Sequence, residues 1–179
     1  MSLAVVLPGR AFPVTMPLLR LAVDALERHG HEVRAVSWTP PGPLPDDPTP
    51  WVVGRLEQAL ADGVPDVVVG KSLGTRAAGH AAARGWPAVW LTPLLRDPGC
   101  LAGVRDNPAP QLVVAGLADP LHDHDVVGSL GCDVLELEGA DHALSRTGDA
   151  DLGDDAARIE AALDGFLARL GPGRLGSSA

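Results

Sequence analysis

The sequence has no tyrosine, and its aromatic residues amount to Phe12, Phe166, Trp38, Trp51, Trp86 and Trp90 in 179 positions, which argues against the broad aromatic platform of a carbohydrate binder. Cysteine is almost as scarce. Cys100 and Cys132 lie far apart without ligand spacing, so neither a disulfide framework nor a zinc site is indicated, and both read as buried or idle thiols. Positive charge is also in short supply: 14 Lys and Arg against 23 Asp and Glu give a net charge of -9 and no basic stretch, which disfavours nucleic acid as a partner. No apolar run approaches the roughly 18 residues of a membrane span, and no basic segment with an apolar core precedes the first strand. A soluble cytoplasmic protein without a membrane partner is the expectation.

What remains is a chain that is 46% hydrophobic, enough for one well-buried domain and too little for two ordinary ones. Residues 1–170 are expected to form that domain and 171–179 a flexible tail. Leu3 to Leu7 is a continuous apolar run stopped by Pro8-Gly9, the pattern of a strand buried on both faces. Thr15 can cap a helix with Pro17 in its first turn, and Leu18, Leu19, Ala22, Ala25 and Leu26 recur at helical spacing up to Gly30. His31 to Trp38 returns to strand. Pro40, Pro41, Pro43, Pro45, Pro48 and Pro50 then forbid regular structure, and a helix restarts at Thr49-Pro50 with Val52, Val53, Leu56, Ala59 and Leu60 on its apolar side. Further strands are expected at Val67–Val69, Pro87–Leu91, Gln111–Ala115 and Asp133–Leu137. Helices are expected from about Ser72 to Arg84, from Pro120 to Ser129, and after an Asp154 or Asp155 cap, where Ile159, Leu163, Phe166, Leu167 and Leu170 form one stripe. Gly99 and Gly103 make Asp97 to Val104 a poor helix. This alternation predicts an α/β three-layer sandwich with a mostly parallel sheet of about six strands, whose chemistry gathers at the carboxyl ends of the strands.

One such end carries a distinctive pentapeptide. Val67 to Val69 run into Gly70-Lys71-Ser72-Leu73-Gly74, after which an alanine-rich helix begins. In Gly-x-Ser-x-Gly between strand and helix, the glycines let the two elements crowd together while the serine sits exposed on a strained turn. A serine hydroxyl is a weak nucleophile and needs a base, usually a histidine oriented by a carboxylate. Two later strand ends offer both groups: Asp119 in Gly116-Leu117-Ala118-Asp119-Pro120 and His142 in Gly139-Ala140-Asp141-His142. Asp123 is the rival acid, but its place deeper in the next expected helix suits a cap or a solvated residue better.

With GKSLG, GLADP and GADHAL in the order Ser, Asp, His, the chain resembles the α/β-hydrolase family over nearly its whole length, and within it the small, lidless, dienelactone-hydrolase-like branch. That resemblance implies Ser72 as nucleophile, Asp119 as orienting acid and His142 as general base. It also implies a minimal fold without a cap domain, starting at what would be the family's third strand. Dienelactone hydrolases use a cysteine where this chain has Ser72, so their substrate does not carry over. The loop Leu7-Pro8-Gly9-Arg10-Ala11 resembles the family's His-Gly-x oxyanion loop with proline replacing histidine. The backbone N–H of Leu73 is then one oxyanion donor and that of Arg10 the second, with Ala11 in reserve.

Other motifs carry blander meanings. Gly70-Lys71-Ser72 imitates the end of a phosphate-binding loop, but Pro65 stands where that motif needs glycine and Val67–Val69 is strand rather than flexible loop. Lys71 is expected at the surface or rim, because neighbours on a sharp turn point apart. His122-Asp123-His124-Asp125 invites a metal, yet histidines two apart do not share a helix face and no third ligand stands nearby in sequence, so no metal and no cofactor are expected. Arg10 and Arg96 could meet an anionic substrate, although solvated arginines are commoner. The expected function is a serine hydrolase cleaving a small ester, lactone or thioester; the alternative is a catalytically silent hydrolase-fold binding or scaffold protein. An exposed edge strand or an uncovered apolar helix could support a homodimer.

Overall fold

The computed structural model of the chain describes residues 2–61 and 63–171; residues 172–179 of the expected tail lie outside the described residues. Six strands form one parallel sheet: β1 (Ser2–Leu7), β2 (His31–Ala35), β3 (Val67–Lys71), β4 (Ala88–Leu91), β5 (Gln111–Gly116) and β6 (Asp133–Leu137), ordered β2-β1-β3-β4-β5-β6. The central strands β3, β4 and β5 are buried along their whole length, as continuous apolar runs require when helices cover both faces. Register fixes what emerges at the carboxyl edge. Leu7 pairs with Gly70 and Lys71 with Leu91, so the ends of β1, β3 and β4 finish level with the serine turn.

The period-2 alternation within each strand divides the core in two. Ala4, Val6, Val67, Val69, Val89, Leu91 and Val114 face helices α1 (Pro17–Arg28) and α6 (Asp155–Leu170) on one side. Val5, Leu7, Val68, Ala88, Trp90 and Val113 face α2 (Thr49–Leu60), α3 (Ala78–Arg84) and α4 (Pro98–Arg105) on the other. The result is the expected three-layer sandwich. Among the described residues, no helix is long and apolar enough to cross a membrane.

Four local expectations change. The segment read as a poor helix is α4, started by Pro98 and capped by Asp97, whose Oδ1 accepts the Cys100 N–H at 2.8 Å. Gly103, taken as a weakness, is what lets α4 lie against α3: a Cβ there would come within 2.5 Å of the Ala78 carbonyl carbon. Conversely, the helix expected over Pro120–Ser129 shrinks to α5 (His124–Val127), because the preceding residues form a turn in which the His122 N–H donates to the Asp119 carbonyl. The helix after the serine begins as a 3₁₀ segment, Ser72–Ala77, before α3. Finally, neither Thr15 nor Asp154 makes a side-chain cap; α1 follows Met16, and Asp155, expected as a possible cap, is instead buried against Arg146 and Arg158.

Candidate active site

Ser72 stands between β3 and the 3₁₀ segment with φ +49°, in the left-handed region that a side chain resists. The turn is possible because both flanking glycines lack a Cβ. At Gly74 a Cβ would lie 2.6 Å from the Leu7 carbonyl oxygen, and at Gly70 one would lie 2.8 Å from the Trp90 ring and 2.9 Å from the Gly74 oxygen. Thr75 then braces the turn, its hydroxyl donating to the Ser72 carbonyl at 2.6 Å.

His142 reaches this serine from the loop after β6, and Asp119 reaches His142 from the loop after β5. The Ser72 Oγ to His142 Nε2 distance is 2.7 Å, and the His142 Nδ1 to Asp119 Oδ2 distance is also 2.7 Å. An ionised carboxylate cannot donate, so Nδ1 carries the proton and Nε2 is left to accept from the serine hydroxyl. The Asp119 side chain is fully buried, and its other oxygen accepts the Leu121 N–H at 2.8 Å. Burial alone would push the Asp119 carboxyl up. The hydrogen bonds from His142 and Leu121, with the charges of His142 and Lys71, outweigh it and hold the group below its ordinary value. Asp123 takes the role expected of a rival: it caps α5, accepting the Asp125 N–H.

The loops that carry Asp119 and His142 are fastened to each other. Ala118 N–H donates to the Ala140 carbonyl at 2.9 Å and Leu117 N–H to the Leu137 carbonyl at 3.0 Å. Gly116 permits this approach, since a Cβ there would fall within 2.7 Å of the Ala140 carbonyl carbon. Asp141 shapes the loop that presents the histidine: its Oδ1 accepts from Ala143 N–H at 2.8 Å and Ser145 N–H at 3.0 Å, and Leu144 turns at φ +58°. Neither contribution was singled out from sequence, although an aspartate followed by short-range N–H partners is a recognisable turn signal.

Of the two amides expected around an oxyanion, that of Leu73 adjoins the serine in sequence, and that of Arg10 belongs to the loop after β1. Leu73 is in the opening turn of the 3₁₀ segment, whose first N–H groups have no partner within the helix. The loop after β1 comes close: a Cβ at Gly9 would sit 3.7 Å from Ser72 Cβ. Trp38 donates its indole N–H to the Gly9 carbonyl at 3.0 Å, and because the peptide is planar and trans, the Arg10 N–H of that unit points the opposite way. That N–H has no backbone acceptor among the described residues. The Arg10 side chain is exposed, and so is Arg96, whose Nε lies 3.4 Å from the His122 carbonyl.

Lys71 is a correction. It was expected at the rim, and it is 2% exposed, with Nζ donating to the His142 carbonyl at 2.9 Å and lying 4.7 Å from the Phe12 ring centre. The loops after β1 and β6 close over it.

The histidine pair also gains a partner invisible in sequence. Glu136 on β6 accepts from His122 Nε2 at 2.7 Å and His124 Nδ1 at 2.8 Å on the same oxygen. These three donors lie within 4.8 Å of one another, as metal ligands could. Against that use, His122 Nδ1 is buried without a partner among the described residues, whereas a metal-bound imidazole ordinarily donates its second N–H. The cluster is explained as two imidazoles sharing one carboxylate, whose hydrogen bonds outweigh burial and hold Glu136 below its usual value.

The serine opens at the carboxyl edge of the sheet, between loops. A cavity of about 690 Å³ lies at the opposite strand ends, around His31, Asp66, Trp86 and Pro110, far from this chemistry.

No family model matches the chain, and no curated protein matches it in sequence. Solved structures match it closely in shape. Est1E from Butyrivibrio proteoclasticus aligns with a TM-score of 0.71 at 14% identity, over 94% of this chain and 88% of that one. The monoacylglycerol lipase of Paleococcus ferrophilus gives 0.69 at 14% identity, over 93% and 94%. An α/β serine hydrolase without a lid from Xanthomonas campestris gives 0.61 at 16% identity, over 94% and 81%. At such identities the likeness is one of fold. The chain has the α/β-hydrolase fold in a minimal form.

Proposed function

We propose that this α/β-hydrolase-fold chain is a serine hydrolase that cleaves a small ester, lactone or thioester through an acyl-enzyme. The observation that carries this reading is the unbroken hydrogen-bonded series from Ser72 through His142 to Asp119, with the serine held at φ +49° on its turn. A scaffold without turnover has no need of a strained serine aligned on an oriented imidazole.

In this mechanism Ser72 Oγ attacks the acyl carbon as His142 Nε2 takes its proton, and the imidazolium that forms is stabilised by the buried Asp119 carboxylate. The Leu73 and Arg10 amides receive the oxyanion. His142 then returns the proton to the leaving alcohol or thiol and activates the water that releases the acid. A substrate of modest size suits a serine on an open edge. Leu117 and Leu121 on the acid loop are large apolar side chains left exposed there, 45% and 43%, and they offer a surface for an acyl group. That the aligned structures include proteins named as an esterase and as a monoacylglycerol lipase agrees with ester chemistry.

Fluorophosphonate labelling tests the proposal, followed by an activity panel across p-nitrophenyl ester chain lengths. Wild-type protein should label and Ser72→Ala should not. Absence of labelling in the folded wild type refutes the assignment and leaves the silent-scaffold alternative.

A further inference from the structure

The mechanism above makes no use of Lys71, the one lysine of the chain, although it is among the most deeply buried side chains. Burying an ammonium is unfavourable unless something holds it. Its surroundings show what it holds. The methylene stem packs beneath the loop after β1: a Cβ at Gly9 would lie 3.2 Å from Lys71 Cδ. The ammonium lies 4.7 Å from the Phe12 ring centre in the same loop, within cation–π range. Its hydrogen bond crosses to the loop after β6, ending on the backbone carbonyl of His142 at 2.9 Å. One side chain, rooted next to the serine, therefore contacts both the loop proposed to bind the oxyanion and the residue proposed as base.

We propose that Lys71 is a positioning residue of this site, its ammonium tying the serine-bearing strand to the backbone of His142 and holding the imidazole in reach of Ser72. The proposal rests on the hydrolase reading. It explains why a charge is kept where methionine or leucine would fill the space without a desolvation penalty. The charged groups that face Lys71 are Asp119 on the acid loop and Asp141 on the base loop; the loop after β1 brings only the neutral Phe12 ring and Gly9 backbone. Burial pushes the ammonium down to about 8, against the pull of those two carboxylates. A charge-assisted hydrogen bond is roughly twice as strong as a neutral one, so deprotonation loosens the tie and leaves Asp119 and Asp141 without the intervening cation.

The sign of the stability linkage distinguishes this role from ordinary packing. The folded value lies below the ordinary 10.5, so the folded state binds fewer protons than the unfolded chain between about 8 and 10.5, and this group's contribution to stability rises with pH across that window. At neutral pH the buried ammonium is thus a liability to folding, and an apolar replacement of similar length does not lower Tm through lost charge.

The experiment compares wild type with Lys71→Met in three measurements: the low-field Nδ1–H proton resonance of His142 without substrate, kcat and KM for p-nitrophenyl acetate from pH 6 to 10, and Tm. The expected result for Lys71→Met is an unchanged or higher Tm at pH 7, a broadened or lost His142 resonance, and kcat lower by on the order of a hundredfold with KM little changed, the scale of a misplacement near 1 Å. Wild type should lose both the resonance and kcat with a midpoint near pH 8, and the variant should lack that transition. A Lys71→Met protein that keeps its resonance and its kcat overturns the proposal, as does a wild-type resonance unchanged from pH 7 to 9.5. Should the variant fail to fold, the wild-type titration decides alone. If the wild type hydrolyses nothing and takes no fluorophosphonate, the hydrolase reading fails, while the His142 resonance still decides whether Lys71 orients that residue.

Discussion

Replacing Asp119 with asparagine is the sharpest probe of the proposed mechanism, because the change is isosteric and the structure dictates how the amide must sit. One carboxylate oxygen accepts the Leu121 N–H at 2.8 Å and the other accepts His142 Nδ1–H at 2.7 Å. An asparagine must keep its oxygen toward Leu121, since turning it over would set the amide NH₂ against a backbone N–H in a fully buried position. The NH₂ then faces His142 Nδ1 and forces the imidazole into the tautomer with its proton on Nε2. That proton points at Ser72 Oγ, and no lone pair remains to take the serine hydrogen. The wrong-tautomer loss is about 10⁴-fold in kcat, or about 5–6 kcal/mol of barrier at 1.36 kcal/mol per decade. Steady-state hydrolysis of p-nitrophenyl acetate at pH 7 to 8 measures it, with Ser72→Ala as the floor. KM should move little, because Asp119 contacts His142 rather than the acyl group. Raising the pH should not restore the rate, because an amide does not titrate. Asp123→Asn is the control: that side chain only caps α5, and its rate should stay within about twofold, as expected of surface substitutions. A folded Asp119→Asn protein working within tenfold of wild type would refute the assignment of the acid.

Two further outcomes follow from particular contacts. If the second oxyanion donor is a backbone amide, Arg10→Ala should keep kcat within a few-fold, whereas Arg10→Pro, which removes the N–H, should lower it by about 10²–10³-fold at similar KM; equal effects in the two variants, with Tm preserved, would place the donor elsewhere. Asp155 is buried, yet its partners Arg146 and Arg158 are half exposed, 53% and 51%, so the pairs are screened and Asp155→Asn should lower Tm by only roughly 2–4 °C, about 1 kcal/mol. The hydrogen bond from Arg146, with that from Arg158 and both charges, outweighs burial and holds this carboxyl below its ordinary value, so its contribution is present above that value and disappears as pH falls through the folded one. The difference between the thermal melts should therefore be full at pH 7 and shrink as the pH falls below the ordinary carboxylate value.

Much of the architecture was written in local pattern. Unbroken apolar runs such as Val67–Val69 marked strands covered on both faces, and helical spacing in Leu18–Leu26 and Ile159–Leu167 marked the layers that cover them. The same linear information assembled Ser72, Asp119 and His142, because a parallel α/β sheet brings every strand's carboxyl end to one edge, and residues just beyond those ends meet however far apart they lie in the chain. Local rules misjudged α4, where Gly103 lowers helix propensity but permits contact with α3, and the Pro120–Ser129 segment, where the turn holding Asp119 takes precedence over helix formation.

What only the tertiary structure decided concerns side chains whose partners belong to other elements. Glu136 joins His122 and His124 through strand register, which carries no trace in the histidine motif itself. Lys71 shows the point most plainly. Sequence placed it beside the serine; whether its side chain met water or the interior depended on the loops after β1 and β6, folded over it from positions about sixty and seventy residues distant in the chain. Direction along a backbone is a local property set by φ and ψ, whereas burial is a property of everything else that arrives there.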